Sequence, residues 1–298
     1  MRIDSILAFF EHWAGRHCLS QHSLRFDDRG AVGCFGEYEL HSVFQPLFGA
    51  QDPARALAFE ALARVRNQTG LQIPPQIAFD LPQNPAEIIF FDRLCRMVHV
   101  VNFVTQPAHE HCRLFLNVNG RHLSSIRSGT HGEAFEGLLR QAGLMPQRVV
   151  LEILESSVDD LDLLIAAVNA YQQRGFQVAI DDFGARHSNF DRLWQLSPDI
   201  VKLDRQLIRQ AQHDSRAARI LPKLVEIIHD LEAQVVCEGI ETHTQWQIAR
   251  DAGVDLVQGF LFARPQADLQ FAGRPVPTAQ PGRARTTAGS PLGALGAA

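Results

Sequence analysis

Gln177-Val178-Ala179-Ile180-Asp181-Asp182-Phe183-Gly184 is a short apolar run that ends on two adjacent carboxylates. Outward from it the same device recurs, an apolar segment carrying an acid, amide or lysine near its C-terminal end. Val149–Ile153 carries Glu152, Leu114–Val118 carries Asn117 and Leu57–Leu62 carries Glu60. Downstream, Ile200–Leu203 carries Lys202, Gln234–Cys237 runs into Glu238, and Leu256–Phe260 carries Gln258. With Val43–Leu47 these make eight candidate strands, and helical patterns separate them. Asp159 or Asp160 can cap a helix over Leu161–Arg174 that Gly175 would close. Asp214-Ser215 opens another reaching Glu232, and Thr242 caps Thr244–Ala252 ahead of Gly253. Eight strands alternating with helices in roughly 230 residues predict an α/β chain folded as a (β/α)8 TIM-like barrel, which typically needs about 250. A doubly wound open sheet would carry a glycine-rich phosphate loop after its first strand, and none stands there.

The flanks read differently. Residues 1–40 predict an N-terminal extension, a short helix followed by a hairpin around Asp27-Asp28-Arg29-Gly30, and residues 41–268 the barrel. Residues 275–298 are Pro, Gly, Ala, Thr and Arg without apolar periodicity, which predicts a disordered tail. Net charge is −5 with a pI near 6.2, and no lysine-arginine run occurs in the 298 residues. That balance argues against binding a nucleic-acid polymer, which needs a cationic face to displace counterions, but leaves room for a small phosphate ligand. Cys18, Cys34, Cys95, Cys112 and Cys237 are scattered and form no CxxC pair, so neither a disulfide framework nor a thiolate zinc site is expected. A reducing, cytoplasmic setting follows. The apolar patch Ile6–Phe10 is too short for a signal peptide or a membrane segment.

In a barrel the C-terminal strand ends converge on one face, where active sites of this fold are built. Carboxylates gathered there would repel one another and hold protons unless cations intervened. Oxygen donors point to hard ions such as Mg²⁺ or Mn²⁺, and adjacent Asp181 and Asp182 would let one carboxylate bridge two of them. Paired cations suit displacement at phosphorus, and Lys202 supplies compensating charge. The residues thus reach a two-metal phosphohydrolase without choosing its substrate. Taken singly, each acid could be a salt-bridged structural residue, Lys202 could snorkel to solvent, Gln258 could tie a loop and Arg64 could be a surface charge. Taken together, the acids favour metal, because buried unpaired acids are costly. His109-Glu110-His111-Cys112 reads as a polar loop, Asn119 and Asp204 as supporting residues, and Phe90, Phe91, Phe103 and Phe115 as core.

The ordered set of segments resembles the EAL-domain family of cyclic di-GMP phosphodiesterases over about residues 40 to 266. Val43-Phe44-Gln45-Pro46-Leu47 is similar to the family's opening strand, and Glu60-Ala61-Leu62-Ala63-Arg64 to its signature tripeptide with the trailing arginine. Phe91-Asp92-Arg93-Leu94, Leu116-Asn117-Val118-Asn119 and Leu151-Glu152-Ile153-Leu154-Glu155 follow in family order. So do Asp181-Asp182-Phe183-Gly184, Val201-Lys202-Leu203-Asp204, Cys237-Glu238-Gly239-Ile240-Glu241-Thr242 and Gln258-Gly259-Phe260 with Ala263-Arg264-Pro265.

The resemblance implies a barrel whose first strand is antiparallel to the others, a homodimer, and hydrolysis of cyclic di-GMP to linear pGpG. By analogy Glu60, Asn117, Glu152 and Asp181 would hold one metal and Asp181, Asp182 and Glu238 the second. Lys202 would activate or orient the nucleophile, with Gln258 helping to position it. Gln45, Leu62, Arg64 and Pro265 align with positions that contact the dinucleotide, and Glu155 and Glu241 with residues that brace the loop after the fifth strand. That loop departs from the family pattern: Ala185-Arg186-His187-Ser188-Asn189-Phe190 puts Arg186 where a flexible glycine is common, and Leu154 replaces a threonine. A cyclic di-GMP receptor with weak or no turnover is therefore the alternative expectation, and a scaffold that binds no nucleotide a third. No sensor or cyclase motif stands in the chain, so input would come through the N-terminal segment, the dimer contact or an unidentified signalling protein.

Overall fold

The computed structural model describes Ala8 and residues 22–28, 30–125, 132–154, 158, 160–185 and 190–269. Its strands in chain order are β1 (His22–Asp27), β2 (Gly30–Phe35), β3 (Tyr38–Gly49), β4 (Ala56–Arg66), β5 (Gln72–Ile73) and β6 (Arg113–Val118). There follow β7 (Val149–Leu154), β8 (Gln177–Phe183), β9 (Ile200–Leu203), β10 (Gln234–Cys237) and β11 (Leu256–Val257). The helices are α1 (Pro75–Asp80), α2 (Pro85–Val104), α3 (Gly120–Ser125), α4 (Glu133–Ala142), α5 (Leu161–Gln173), α6 (Phe190–Leu196), α7 (Arg205–His213), α8 (Ser215–Asp230) and α9 (His243–Asp251).

Strands β4, β6, β7, β8, β9, β10 and β11 pair in parallel, and β3 closes the ring by pairing antiparallel with both β11 and β4. The eight-stranded barrel with an antiparallel first strand is thus as expected. Two apolar layers hold it. Leu47, Ala58, Phe115, Val150, Ala179, Ile200, Val236 and Leu256 fill the interior. The opposite strand faces pack against the helices, most heavily α2, whose stretch from Phe90 to Phe103 is almost entirely buried.

Helix starts follow local chemistry. Asn84 accepts from the Glu87 amide ahead of Pro85, Asp160 caps α5 and Asp214 caps α8. Thr242 and Gln245 form a reciprocal capping box on α9.

Several strand limits differ from expectation, β8 among them, which runs on from Ile180 to Phe183. β3 and β4 run far beyond Val43–Leu47 and Leu57–Leu62, because they continue above the barrel as a two-stranded ribbon as far as Glu39 opposite Arg66. Glu60 consequently sits mid-strand. β11 stops at Val257 instead of Phe260, because Ile240 N–H takes the Gln258 carbonyl at 3.0 Å and turns the chain off the sheet.

The hairpin around Gly30 forms, with β2 extending the sheet onto β3. Gly30 at φ +117 sits where Asn102 reaches in, and the Asn102 side chain holds both the N–H and the carbonyl of Ala31, at 2.7 and 2.8 Å. The expected N-terminal helix and the 275–298 tail lie outside the described residues. No described helix is long and apolar enough to cross a membrane.

Candidate active site

Side chains two residues apart on a strand share a face, and this periodicity builds the site. Each of the eight interior apolar residues has a polar residue two positions away toward the same end of the barrel. Ala58 leads to Glu60, Phe115 to Asn117, Val150 to Glu152 and Ala179 to Asp181. Ile200 leads to Lys202, Val236 to Glu238 and Leu256 to Gln258, while on the reversed strand Leu47 leads back to Gln45. The upper layer of the barrel interior is therefore polar where the lower is hydrocarbon.

Lys202 stands at its centre, 1% exposed. Its Nζ lies 2.5 Å from Glu152 Oε1, 2.5 Å from Glu238 Oε1, 3.2 Å from Asp181 Oδ1 and 3.6 Å from Glu60 Oε2. The Asn117 amide donates to Glu60 at 3.1 Å and to Glu152 at 3.2 Å, and Gln258 Nε2 donates to the other oxygen of Glu60 at 2.9 Å. Asp182 completes the group. A register shift between Ile180 and Phe183 places it in the left-handed region at φ 57, and its N–H donates to Asp181 Oδ1 at 2.9 Å.

Five carboxylates thus face one ammonium. Burial, reinforced by the charge of Glu60, raises Glu152 well above the usual carboxylate range against the pull of Lys202. Burial likewise pushes Glu238 up, and burial with the Asp181 charge raises Asp182. Burial opposes the Lys202 charge, but Asp181, Glu152, Glu238 and Glu60 outweigh it and raise the ammonium's pKa.

Such a site is short of positive charge. Asp181, Asp182 and Glu238 can each offer an oxygen within 4.8 Å of the others, and they are the one such group among the described residues. An all-oxygen donor set fits hard divalent cations.

The cleft above the acids has a volume of about 460 Å³. Gln45 and Leu62 line it, and the Gln45 amide is tethered to the Ala263 carbonyl at 3.3 Å. Arg64 and Pro265 do not line it. Arg64 lies near enough to Glu60 to feel its charge, but it borders a neighbouring hollow. Glu241 lines the cleft rim and faces Arg209 at 3.3 Å. Glu155 and the variant positions Arg186 to Asn189 lie outside the described residues, while Leu154 is 37% exposed.

Arg205 and Phe260 line the cleft without having been singled out in the sequence. Phe260 is 48% exposed and carries the Arg264 guanidinium 4.2 Å above its ring. An aromatic two residues beyond Gln258, at the next position in the strand's alternation, was the available signal.

A family model described as the EAL domain matches residues 35–265. The chain belongs to the EAL-domain family. Among curated relatives, the EAL chain is 29% identical over 235 residues to cyclic di-GMP phosphodiesterase NbdA of Pseudomonas aeruginosa, covering 77% of this chain and 29% of that protein. It spans 17% to 45% of the length of eight curated relatives it matches. Among solved EAL structures, a calcium and cyclic di-GMP complex of Klebsiella pneumoniae BlrP1 aligns at TM-score 0.67 and 27% identity, over 89% of this chain and 66% of that one. A standalone EAL protein of Vibrio cholerae in its c-di-GMP-bound form aligns at TM-score 0.67 and 24% identity, over 78% and 94%. At that identity the likeness speaks to the EAL fold alone.

Proposed function

We propose that this EAL barrel is a divalent-metal-dependent phosphodiesterase that hydrolyses cyclic di-GMP to linear pGpG. One observation carries the proposal: Lys202 and Asn117 draw Glu60, Glu152, Asp181 and Glu238 together at the mouth of the barrel, beneath a cleft open to a nucleotide. Family membership and the cyclic di-GMP named for its relatives support the substrate.

Glu60, Asn117, Glu152 and Asp181 would hold one cation, and Asp181, Asp182 and Glu238 a second, with Mg²⁺ or Mn²⁺ suited to the oxygen set. Bound there, such ions supply charge neutralisation at a phosphoryl group and a water of lowered pKa. Lys202 keeps the acids from repelling one another and, beside Asp181 and Glu238, would orient a nucleophilic water held there. Gln258 fixes the rotamer of Glu60 through its 2.9 Å hydrogen bond. Gln45 and Leu62 form the strand side of the nucleotide cleft.

The experiment is a product assay on the full chain with Mg²⁺, Mn²⁺ or neither, followed by chromatography for pGpG. Metal-dependent product that Glu60→Ala abolishes is the expected outcome. Cyclic di-GMP binding with no product after long incubation would make the protein a receptor, and no binding heat with either metal would make it a scaffold.

A further inference from the structure

The N-terminal stretch carries a pattern that the barrel does not use. On a helical wheel Ile3, Ile6, Leu7, Phe10 and Trp13 fall in one stripe about 120° wide, with Phe9 at its margin and Asp4, Ser5, Glu11 and His12 outside it. Ala8, which lies opposite the stripe, is helical and exposed. A helix over residues 3–13 is marginal in water by itself, because isolated helices shorter than about 12–15 residues rarely persist. Such a stripe needs an apolar seat.

The place where the stretch enters the fold points to that seat. β1 begins at His22, whose backbone pairs with Phe35. The Phe35 ring meets Phe91 of α2 at 5.0 Å between centroids, and Phe91 meets Phe79 of α1 at 5.6 Å. The segment from Leu71 to Leu81, which holds β5 and α1, leaves apolar side chains facing outward. Leu71 is 63% and Ile77 56% exposed, Ile73, Phe79 and Leu81 are only partly covered, and Pro74 and Pro75 stand in solvent. The segment is firmly held. Ala78 is buried, and Arg121 of α3 donates to the carbonyls of Phe79 at 3.0 Å and Pro82 at 2.9 Å. The eight residues from Ala14 to Gln21 can span roughly 26 Å when extended, ample for the short steps from His22 to α1.

We propose that the N-terminal helix docks its Ile3–Trp13 stripe on the β5 and α1 segment of the same chain, with Leu71 and Ile77 as the seat. Tethering favours this occupant over a separate partner, since a short linker holds the helix at an effective concentration in the millimolar range. Phe10 and Trp13, the members of the stripe nearest to His22 along the chain, bring its largest apolar surface. The proposal does not depend on the catalytic function proposed above.

Hydrogen exchange of the full chain, read by mass spectrometry, tests it. Amides of residues 3–13 should be protected, and Ile77→Asp should cut that protection by roughly tenfold or more, the loss expected when one buried isoleucine gives way to a charge. Phe10→Asp should do the same from the other side of the contact. Ile220→Asp, at an exposed isoleucine of α8, should leave the protection unchanged. Wild-type exchange in β6 to β9 in the same spectra would show that each variant is folded. Rapid exchange of residues 3–13 in the wild type, protection that survives Ile77→Asp, or an equal loss in Ile220→Asp would each overturn the proposal. So would protection that falls away on dilution, the mark of a second copy as partner.

Discussion

Replacing Lys202 by methionine keeps the volume of the side chain and removes its charge. In the native barrel the ammonium is 1% exposed and lies within 3.6 Å of four carboxylates, two of them at 2.5 Å. Taking away one partner of a buried ionic group leaves the other side uncompensated, at a cost of about 3–5 kcal/mol. At about 2–4 °C per kcal/mol for domains of this size, that is a fall of roughly 6–20 °C in melting temperature in the presence of chelator. The acids left behind still present an oxygen cluster, so divalent cations should supply the missing positive charge. Saturating Mn²⁺ should therefore raise the melting temperature of Lys202→Met more than that of the wild type and narrow the gap between them. Thermal melts and urea titrations with and without metal measure both quantities. A variant that melts like the wild type in chelator would mean that the acids are already protonated or hydrated in the native state, and the charge-compensation account of the site would fail.

Three further outcomes follow. Burial, aided by the charge of Arg64, pushes His99 down to about 3, against about 6.5 when unfolded. Its contribution is complete above pH 6.5 and is lost as pH falls toward 3, at most about 5 kcal/mol by linkage. His99→Gln should flatten the dependence of the urea midpoint on pH between 6.5 and 4, and parallel curves would remove His99 from the acid response. A Cβ at Gly259 would stand 2.1 Å from the Ile240 carbonyl oxygen and 2.3 Å from its nitrogen, both backbone atoms that cannot swing aside. Gly259→Ala should cost about 1–3 kcal/mol or more and displace Gln258 from Glu60, and an unchanged urea midpoint would contradict this. Cyclic di-GMP binding measured by calorimetry should vanish in chelator and return with Ca²⁺ or Mn²⁺, and full affinity without metal would refute the cation requirement.

The barrel was legible because its strands repeat one device, hydrocarbon followed two residues later by a polar group. Val150–Leu151–Glu152 and Ile200–Val201–Lys202 state the interior layer and the site layer in three letters each. Helix caps were equally plain, since Asp160, Asp214 and Thr242 act within four residues of themselves. Long-range partnerships carry no such local mark. The Asn102 clamp on Ala31 joins residues 71 apart, and the buried group of Asp92, Arg96 and His122 joins two helices across an intervening strand. Arg64 shows the same limit at the site. Its place after the signature tripeptide suggests a contact with nucleotide, and its side chain lies between Glu60 and the hollow that His41 also borders. Strand alternation puts a residue on a face, but how far a long arginine side chain swings along that face depends on neighbours supplied by other strands.

The polar layer also weighs between a scaffold and a site that handles charge. Each of its acids stands two residues above an aliphatic or aromatic side chain, so continuing the hydrocarbon would have been sterically simple. Exchanging buried ionic groups for well-packed hydrophobic ones is often neutral or stabilising by about 1–4 kcal/mol, so a chain serving only as a scaffold gains nothing from five gathered carboxylates. Nor does the layer suit a receptor that grips phosphate directly, because Lys202 is spent on the acids and the cleft floor stays anionic toward a phosphodiester. On the proposed function, a nucleotide would approach such a floor only with cations between them, and the charge imbalance around Lys202 would tie its recognition and the attack on it to the same metal-dependent step.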